Sequence, residues 1–296
     1  MKKLILVTGS HRSGSTWTGN VIRKAPNTRY VHEPFNIEKE NKNSPLTFWF
    51  EHVLNAPLSH QKKTKHYINS YFKVVHPNTI KRLPQQKSLK SLYHYFADLK
   101  SRMTTRTVLK DPIALMSAEW IYKNYKADVV VLIRHPAAFI ASLKVKNWEF
   151  DFNNYLNQPL LMDGYLKDYK TVIADYCQNK KDIIDQGILL WNTIHDVIDY
   201  YQSNYKNEWH FVKHEDLSHH PTAEFKKLFS KIELTMNSAV SDYIKETTTS
   251  KEDSYLTRNS KDNIKEWKNR LSDNEIQRIK KGTQNVWEKF YSESDW

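Results

Sequence analysis

The chain has 296 residues, of which 39% are hydrophobic, 13% aromatic and 26% charged; that balance excludes collagen-like and disordered classes and leaves enough apolar side chain for a sizeable core. The formal net charge is +12, which calls for an anionic partner such as a nucleotide, an acidic sugar, a nucleic acid or a membrane surface. One cysteine, Cys177, excludes an internal disulfide and a cysteine metal cluster, and suits a reducing, cytoplasmic compartment.

The first predicted element is a strand over Leu4 to Val7. The apolar run in MKKLILVTGS is too short for a signal-peptide core and reads as buried β-structure. The loop Thr8 to Thr16, TGSHRSGST, follows, and a helix is predicted from Ser15 to Lys24. Further strands are expected at Arg29 to Val31, Thr107 to Leu109, Val129 to Ile133 and His210 to Val212. Between and after them, helices are expected at Ala114 to Asn124, Ala137 to Lys146, Asp182 to Asn204, Thr222 to Ser230 and Asp273 to Tyr291. Short β-branched runs alternating with longer helical patterns predict an α/β fold in one domain over 1–296, with a central parallel sheet flanked by helices. VVVLI, Val129 to Ile133, suits a central strand covered on both faces. No apolar run is long enough for a membrane-spanning helix.

Asn36 to Thr107 carries no predicted strand and interrupts the alternation as an insertion or cap. It holds 13 Lys and Arg against 4 Asp and Glu, a net of +9, so most of the excess charge lies there. Its aromatic residues, among them Trp49, Tyr67, Tyr71 and Phe96, make it too apolar for a disordered tail.

TGSHRSGST almost spells the phosphate loop G-x-x-x-x-G-K-[ST], with Gly9 and Gly14 correctly spaced and Thr16 at the hydroxyl position. Between a strand and a helix, such a loop presents backbone N–H groups to an anion. Ser15 stands where the lysine should be, so a triphosphate with Mg²⁺ fits poorly. Arg12 supplies charge from within the loop and could reach a single 5′-phosphate; Trp17 could support an adenine or simply pack. A second anion site is expected where Arg134 leaves the central strand, with Pro136 opening a helix and Ser142 eight residues on.

On these residues the sequence resembles the sulfotransferases that use 3′-phosphoadenosine 5′-phosphosulfate (PAPS), closer to their carbohydrate-type and bacterial members than to the cytosolic small-molecule branch. RSGSTW, Arg12 to Trp17, looks like the family's 5′-phosphosulfate loop, and Arg134 with Ser142 like its 3′-phosphate site. The resemblance implies a P-loop-like three-layer fold, PAPS as co-substrate and donor contacts from Arg12, Ser13, Gly14, Ser15, Thr16, Trp17, Arg134 and Ser142. FVKHEDLSHHP, Phe211 to Pro221, resembles a downstream strand and turn in which His214 replaces a tyrosine near the adenine. RNSKDNIKEWKNRLS, Arg258 to Ser272, resembles the segment that closes over the nucleotide, with Arg258 as ligand and Trp267 packing.

Transfer to a hydroxyl needs a base and positive charge on the leaving oxygens. The sulfuryl group carries less charge than a phosphoryl group, so no metal is expected. Glu33 in HEPF follows the second strand and is favoured as base, with His32 as its rival. Lys110 in LKDP stands where the small-molecule branch carries K-[ST]-H-x-P, whose histidine is absent here. Lys110 and Arg12 are expected to act on the sulfuryl and bridging oxygens, and Asp111 to orient one of them. The basic, aromatic insertion suits an acidic glycan or glycolipid acceptor, with a protein tyrosine or a small alcohol as alternatives; it is compatible with peripheral membrane contact, and no nucleic acid is expected. Two other readings remain at this level: a P-loop kinase or NTPase, and a non-enzymatic polyanion-binding protein.

Overall fold

The structure is a computed structural model and describes residues 4–38, 43–74, 76–249 and 264–296. All five expected strands are present: β1 Leu4–Gly9, β2 Thr28–His32, β3 Arg106–Lys110, β4 Asp128–Ile133 and β5 His210–Lys213. They form one parallel sheet in the order β2-β3-β1-β4-β5. Leu6 faces Leu109 on one side and Val129 on the other, so β1 is fully enclosed by its neighbours.

Alternation along each strand divides the interior in two. Leu4, Leu6, Leu109, Val129, Val131 and Ile133 enter the larger core; Ile5, Val7, Val108, Val130 and Leu132 enter the smaller. With a core on each face the fold is a three-layer α/β structure.

The helices of the N-terminal half are α1 Ser15–Ile22, α2 Leu58–Phe72, α3 Pro77–Ile80, α4 Leu89–Thr104, α5 Ala118–Tyr125 and α6 Pro136–Lys146. Those that follow are α7 Asn153–Leu156, α8 Pro159–Asp163, α9 Lys170–Gln178, α10 Ile183–Tyr205, α11 His214–His219, α12 Pro221–Lys231, α13 Ser238–Thr249, α14 Trp267–Arg270, α15 Asp273–Gly282 and α16 Gln284–Trp287. α6 and α10 supply much of the larger core through Phe139, Ile140, Leu190, Trp191 and Ile194, while α1 and α12 close the smaller one with Val21, Ile22, Phe225 and Phe229.

Two expected helices come out differently. The start of the segment from Ala114 is a 3₁₀ turn, Pro112–Ser117, because Asp111 caps it tightly through Ile113 N at 3.0 Å. The run expected from Asp273 to Tyr291 breaks after Gly282, the residue with the weakest helix propensity short of proline. There Thr283 turns its hydroxyl back onto the Ile279 carbonyl at 2.8 Å, and Trp287 bonds the Lys280 carbonyl at 3.0 Å.

Residues 36–107 are more than a cap. Leu46, Trp49, Phe50, Val53, Tyr67 and Ile68 join the larger core. The irregular stretch before α2 has its backbone donors met by side chains of the body: Trp49 N by Asn154 at 2.9 Å, His52 N by Gln158 at 2.9 Å and Val53 N by Ser117 at 3.2 Å. Buried loop backbone is tolerated only when paired in this way.

Gly9 has φ +136°, and a Cβ there would overlap the Leu132 carbonyl oxygen of β4. Because that neighbour is the backbone of a central strand, Gly9→Ala is expected to destabilise the protein by about 3 kcal/mol. Urea unfolding monitored by circular dichroism measures it, and an unchanged midpoint would contradict the strained approach.

Candidate active site

A parallel sheet places the C-terminal ends of all its strands on one edge, where ligands of open α/β sheets bind. Here the strands deliver Ser10 to Gly14 after β1, Glu33 after β2, Asp111 after β3, Arg134 after β4 and His214 after β5. The sheet order puts the β1 loop in the middle of this edge, between Lys110 and Arg134.

The loop turns through left-handed backbone at Arg12, φ 62°, and at Gly14, φ 84°. A side chain at Gly14 would overlap the His214 imidazole, so only glycine admits both the turn and the ring. Ser13 folds its hydroxyl onto the Ser10 carbonyl at 2.5 Å and is fully buried; its side chain stabilises the loop. Ser15 is buried in the first turn of α1, and Thr16 beside it is partly exposed.

The two arginine motifs meet. Arg12 Nε donates to Ser142 Oγ at 2.6 Å, and Arg134 donates to the Arg12 carbonyl. Arg134 Nε, Ser10 Oγ and His214 Nδ1 are buried and have no hydrogen-bond partner among the described residues. Buried polar atoms are rarely left so, and three of them around one phosphate-type loop fit an anionic ligand. Burial lowers the Arg134 pKa to about 10, with Glu215 opposing and Arg12 reinforcing the shift. Arg134 therefore remains charged at neutral pH. Burial, helped by the Arg134 charge, lowers His214 to about 3, so its ring is neutral.

On the other side of the loop, Lys110 is fully buried and donates to Glu33 Oε1. Its stem packs over α1, where a Cβ on Gly19 would lie 2.9 Å from Lys110 Cγ. Glu33 has left-handed backbone, φ 48°, held by its own N–H on the Lys110 carbonyl at 2.8 Å. Asn36 donates to Glu33 Oε2 at 3.1 Å. Burial pushes the Glu33 pKa up, but the Lys110 hydrogen bond and charge outweigh it and hold the carboxyl down at about 2. The rival His32 is exposed, stacks on Tyr30 and stands 3.8 Å from Glu33 Oε2.

Asp111 orients neither Lys110 nor Arg12. Its carboxylate accepts from Phe35 N at 2.5 Å and Ile113 N at 3.0 Å, so it anchors the turn that carries Glu33. Burial and the nearby Glu33 charge raise its pKa to about 7, against the two backbone donors and Lys110.

Trp17 is half-buried, packs edge-on to Phe225 and donates to Thr247 Oγ1 at 3.0 Å. Trp267 is buried and stacks on His135 at 5.2 Å. Arg258 lies outside the described residues. Two further residues at this edge escaped the sequence reading. His11 is buried among Trp49, Phe50, Phe139 and Trp148, and burial lowers its pKa to about 3. Glu215 accepts from His135 N at 3.0 Å and Tyr291 OH at 2.9 Å and faces the Arg134 charge. Its place directly after β5, inside HEDL, was the available signal; nothing in the sequence marks the aromatic cage of His11. Among the described residues no group of three or more His, Cys, Asp or Glu is placed to hold a metal ion.

A three-layer sheet whose ligand edge gathers a glycine loop, two arginines and a buried lysine defines an α/β protein built for an anionic ligand. The model of the Sulfotransferase family matches residues 5–238, and the chain belongs to that family. It is an enzyme of the PAPS-dependent kind, the donor that the family implies. Among solved structures it is similar to the sulfotransferase domain of the curacin biosynthetic pathway, at 13% identity and TM-score 0.52 over 96% of this chain and 98% of that one. It is likewise similar to the sulfotransferase domain of the Synechococcus PCC 7002 olefin synthase, at 14% identity and TM-score 0.54 over 98% and 96%. These likenesses concern the fold. Compared by sequence with curated proteins, the chain has no match.

A Glu33 pKa lowered from 4.5 to about 2 means that its pairing stabilises the folded state above pH 4.5, and that this contribution is lost as pH falls toward 2. Glu33→Gln is therefore expected to lower the melting temperature at pH 7, with the difference from the unaltered protein shrinking between pH 4.5 and 2. A gap that stays constant across that range would count against the pairing.

Proposed function

We propose that the chain transfers the sulfuryl group of PAPS to a hydroxyl of a carbohydrate or glycolipid, with Glu33 as general base. The reading is supported above all by the juxtaposition of Glu33 and Lys110 beside the Arg12 loop at one sheet edge. In the transfer the acceptor oxygen bonds to sulfur, the bridging S–O bond breaks with its electron pair going to the phosphate, and the acceptor proton leaves. Glu33 is ionised at neutral pH and takes that proton. Lys110 holds it in position and moderates its basicity; as Lys110 turns toward the developing charge on the bridging oxygen, Glu33 becomes the stronger base.

Arg12, with Ser13, Gly14, Ser15 and Thr16, would hold the 5′-phosphosulfate, and Arg134 with Ser142 the 3′-phosphate. The orphaned Arg134 Nε and Ser10 Oγ supply donors for that load. Trp17 and His214 would flank the adenine, and Arg258 would close over the nucleotide. Lysines and aromatics of residues 36–107 suit an acidic sugar, the chain being the single domain that carries both sites. No divalent metal is required in this scheme, and a cytoplasmic setting suits the single cysteine. The family match sets aside the kinase and polyanion-binding readings.

Adenosine 3′,5′-bisphosphate is expected to bind with equal affinity in Mg²⁺ and in chelator, measured by calorimetry. Preference for ATP with Mg²⁺ would overturn the donor assignment. Arg134→Ala is expected to weaken that binding roughly 10- to 100-fold, the loss of one or two charge-assisted hydrogen bonds. Glu33→Gln is expected to keep nucleotide binding and lower turnover by about 10²–10⁴, read with sulfur-labelled PAPS and a panel of glycans, glycolipids and phenols. Near-normal turnover in Glu33→Gln would remove it as the base, and labelling confined to phenols would remove the carbohydrate acceptor.

A further inference from the structure

Helix α4 carries an apolar stripe on its outer side. Its steps from Leu89 to Tyr93, Phe96 and Met103 keep four apolar side chains in a stripe roughly 80° wide, with Lys100 among them. That stripe faces solvent: Leu89 is 88% exposed, Tyr93 71%, Phe96 57% and Met103 63%. The opposite face carries Asp98 and Arg102, which turn inward. Arg102 Nε donates to Asp98 Oδ2 at 2.8 Å, and its NH1 donates to the Ser70 carbonyl at 2.7 Å. Arg29 of β2 pairs with Asp98 Oδ1 at 3.0 Å. An ordinary surface helix shows only its polar side; α4 buries Tyr95 and Arg102 against the body, with Leu92, Asp98 and Leu99 half-buried, and still leaves an apolar stripe outside.

The apolar surface continues beyond the helix through Ile80, 55% exposed, and Leu83, 41%. Lys81, Arg82, Lys87 and Lys90 surround it, Lys100 lies within it, and all five are exposed. Between Lys73 and Thr104 there are 7 Lys and Arg and one acid, Asp98, a net of +6. That acid is occupied by Arg29, Arg82 and Arg102, so it does not offset the lysines.

We propose that the surface of α4 and the Ile80–Leu83 turn docks onto an anionic lipid membrane. The apolar stripe would enter the interface while the lysine rim meets acidic headgroups. A protein partner would have to match both an apolar stripe and a uniformly basic surround, whereas a bilayer with acidic headgroups supplies both at once. The Arg29–Asp98 pair fixes α4 to β2 near the start of that strand. The surface argument stands without the acceptor assignment, and its test uses no donor.

The test is co-sedimentation of the full chain with vesicles of phosphatidylcholine alone and with an equal mixture of phosphatidylcholine and phosphatidylserine. Binding is expected to the mixed vesicles only. Leu89→Ser with Phe96→Ser is expected to weaken it tenfold or more, the loss of roughly two inserted side chains, and Lys90→Glu with Lys100→Glu to do the same. Circular dichroism melting checks that both variants are folded. Absence of binding to mixed vesicles overturns the proposal. So does unchanged binding by the Leu89/Phe96 variant, which would leave only bulk charge. Self-association abolished by that variant, without vesicle binding, would assign the stripe to a second copy of the chain and equally overturn it.

Discussion

The buried ion pair between Lys110 and Glu33 constrains more of this structure than any other contact. An ammonium with no exposed surface costs several kcal/mol unless a carboxylate meets it, and Lys110 is fully buried. Everything around the pair serves that meeting. Glu33 accepts left-handed backbone to reach it, the fully buried Asp111 pins the following turn through Phe35 N, and Gly19 leaves room on α1 for the lysine stem. The neighbouring strands β2 and β3 are thereby tied at their C-terminal ends, with α1 packed over the lysine stem.

The other half of the edge is organised by arginine instead. Arg12 reaches out of its loop to Ser142 of α6, and Arg134 reaches back to the Arg12 carbonyl. The loop is thus fastened to β4 and α6 with donors to spare, since Arg134 Nε remains unmatched among the described residues. Glu215 balances this charge from the first turn of α11, and the C-terminal aromatics, Trp267, Tyr291 and Trp296, close over His135 behind it. Positive charge is concentrated in the middle of the edge, and carboxylates stand at its two flanks.

Residues 36–107 join the two themes of core and surface. Trp49 and Phe50 cage His11 of the loop, so an element that interrupts the α/β alternation in sequence helps support the loop in space. Tyr67 OH bonds the Pro34 carbonyl at 2.9 Å, next to Glu33. The outer side of the same segment carries the charge and the exposed apolar stripe. One segment therefore buttresses the site with its inner face and presents a distinct surface with its outer one.

The sequence by itself determined the five strands, their parallel arrangement and most of the residues at the sheet edge. Those features are local: β-branched runs, glycine spacing, and arginine, lysine or glutamate at or just past a strand end. It also carried the family, because RSGSTW and Arg134 with Ser142 are short patterns read without knowing any contact. Tertiary structure alone decided that Lys110 is buried against Glu33, that Arg12 bonds Ser142 of α6, and that Asp111 holds the Phe35 turn. It alone decided that an apolar stripe of α4 would face outward. Each of these depends on partners 70 or more residues away or on which face of a helix finds the core. Residue type and spacing specify elements, but burial and charge pairing are settled only when distant strands are brought to one edge.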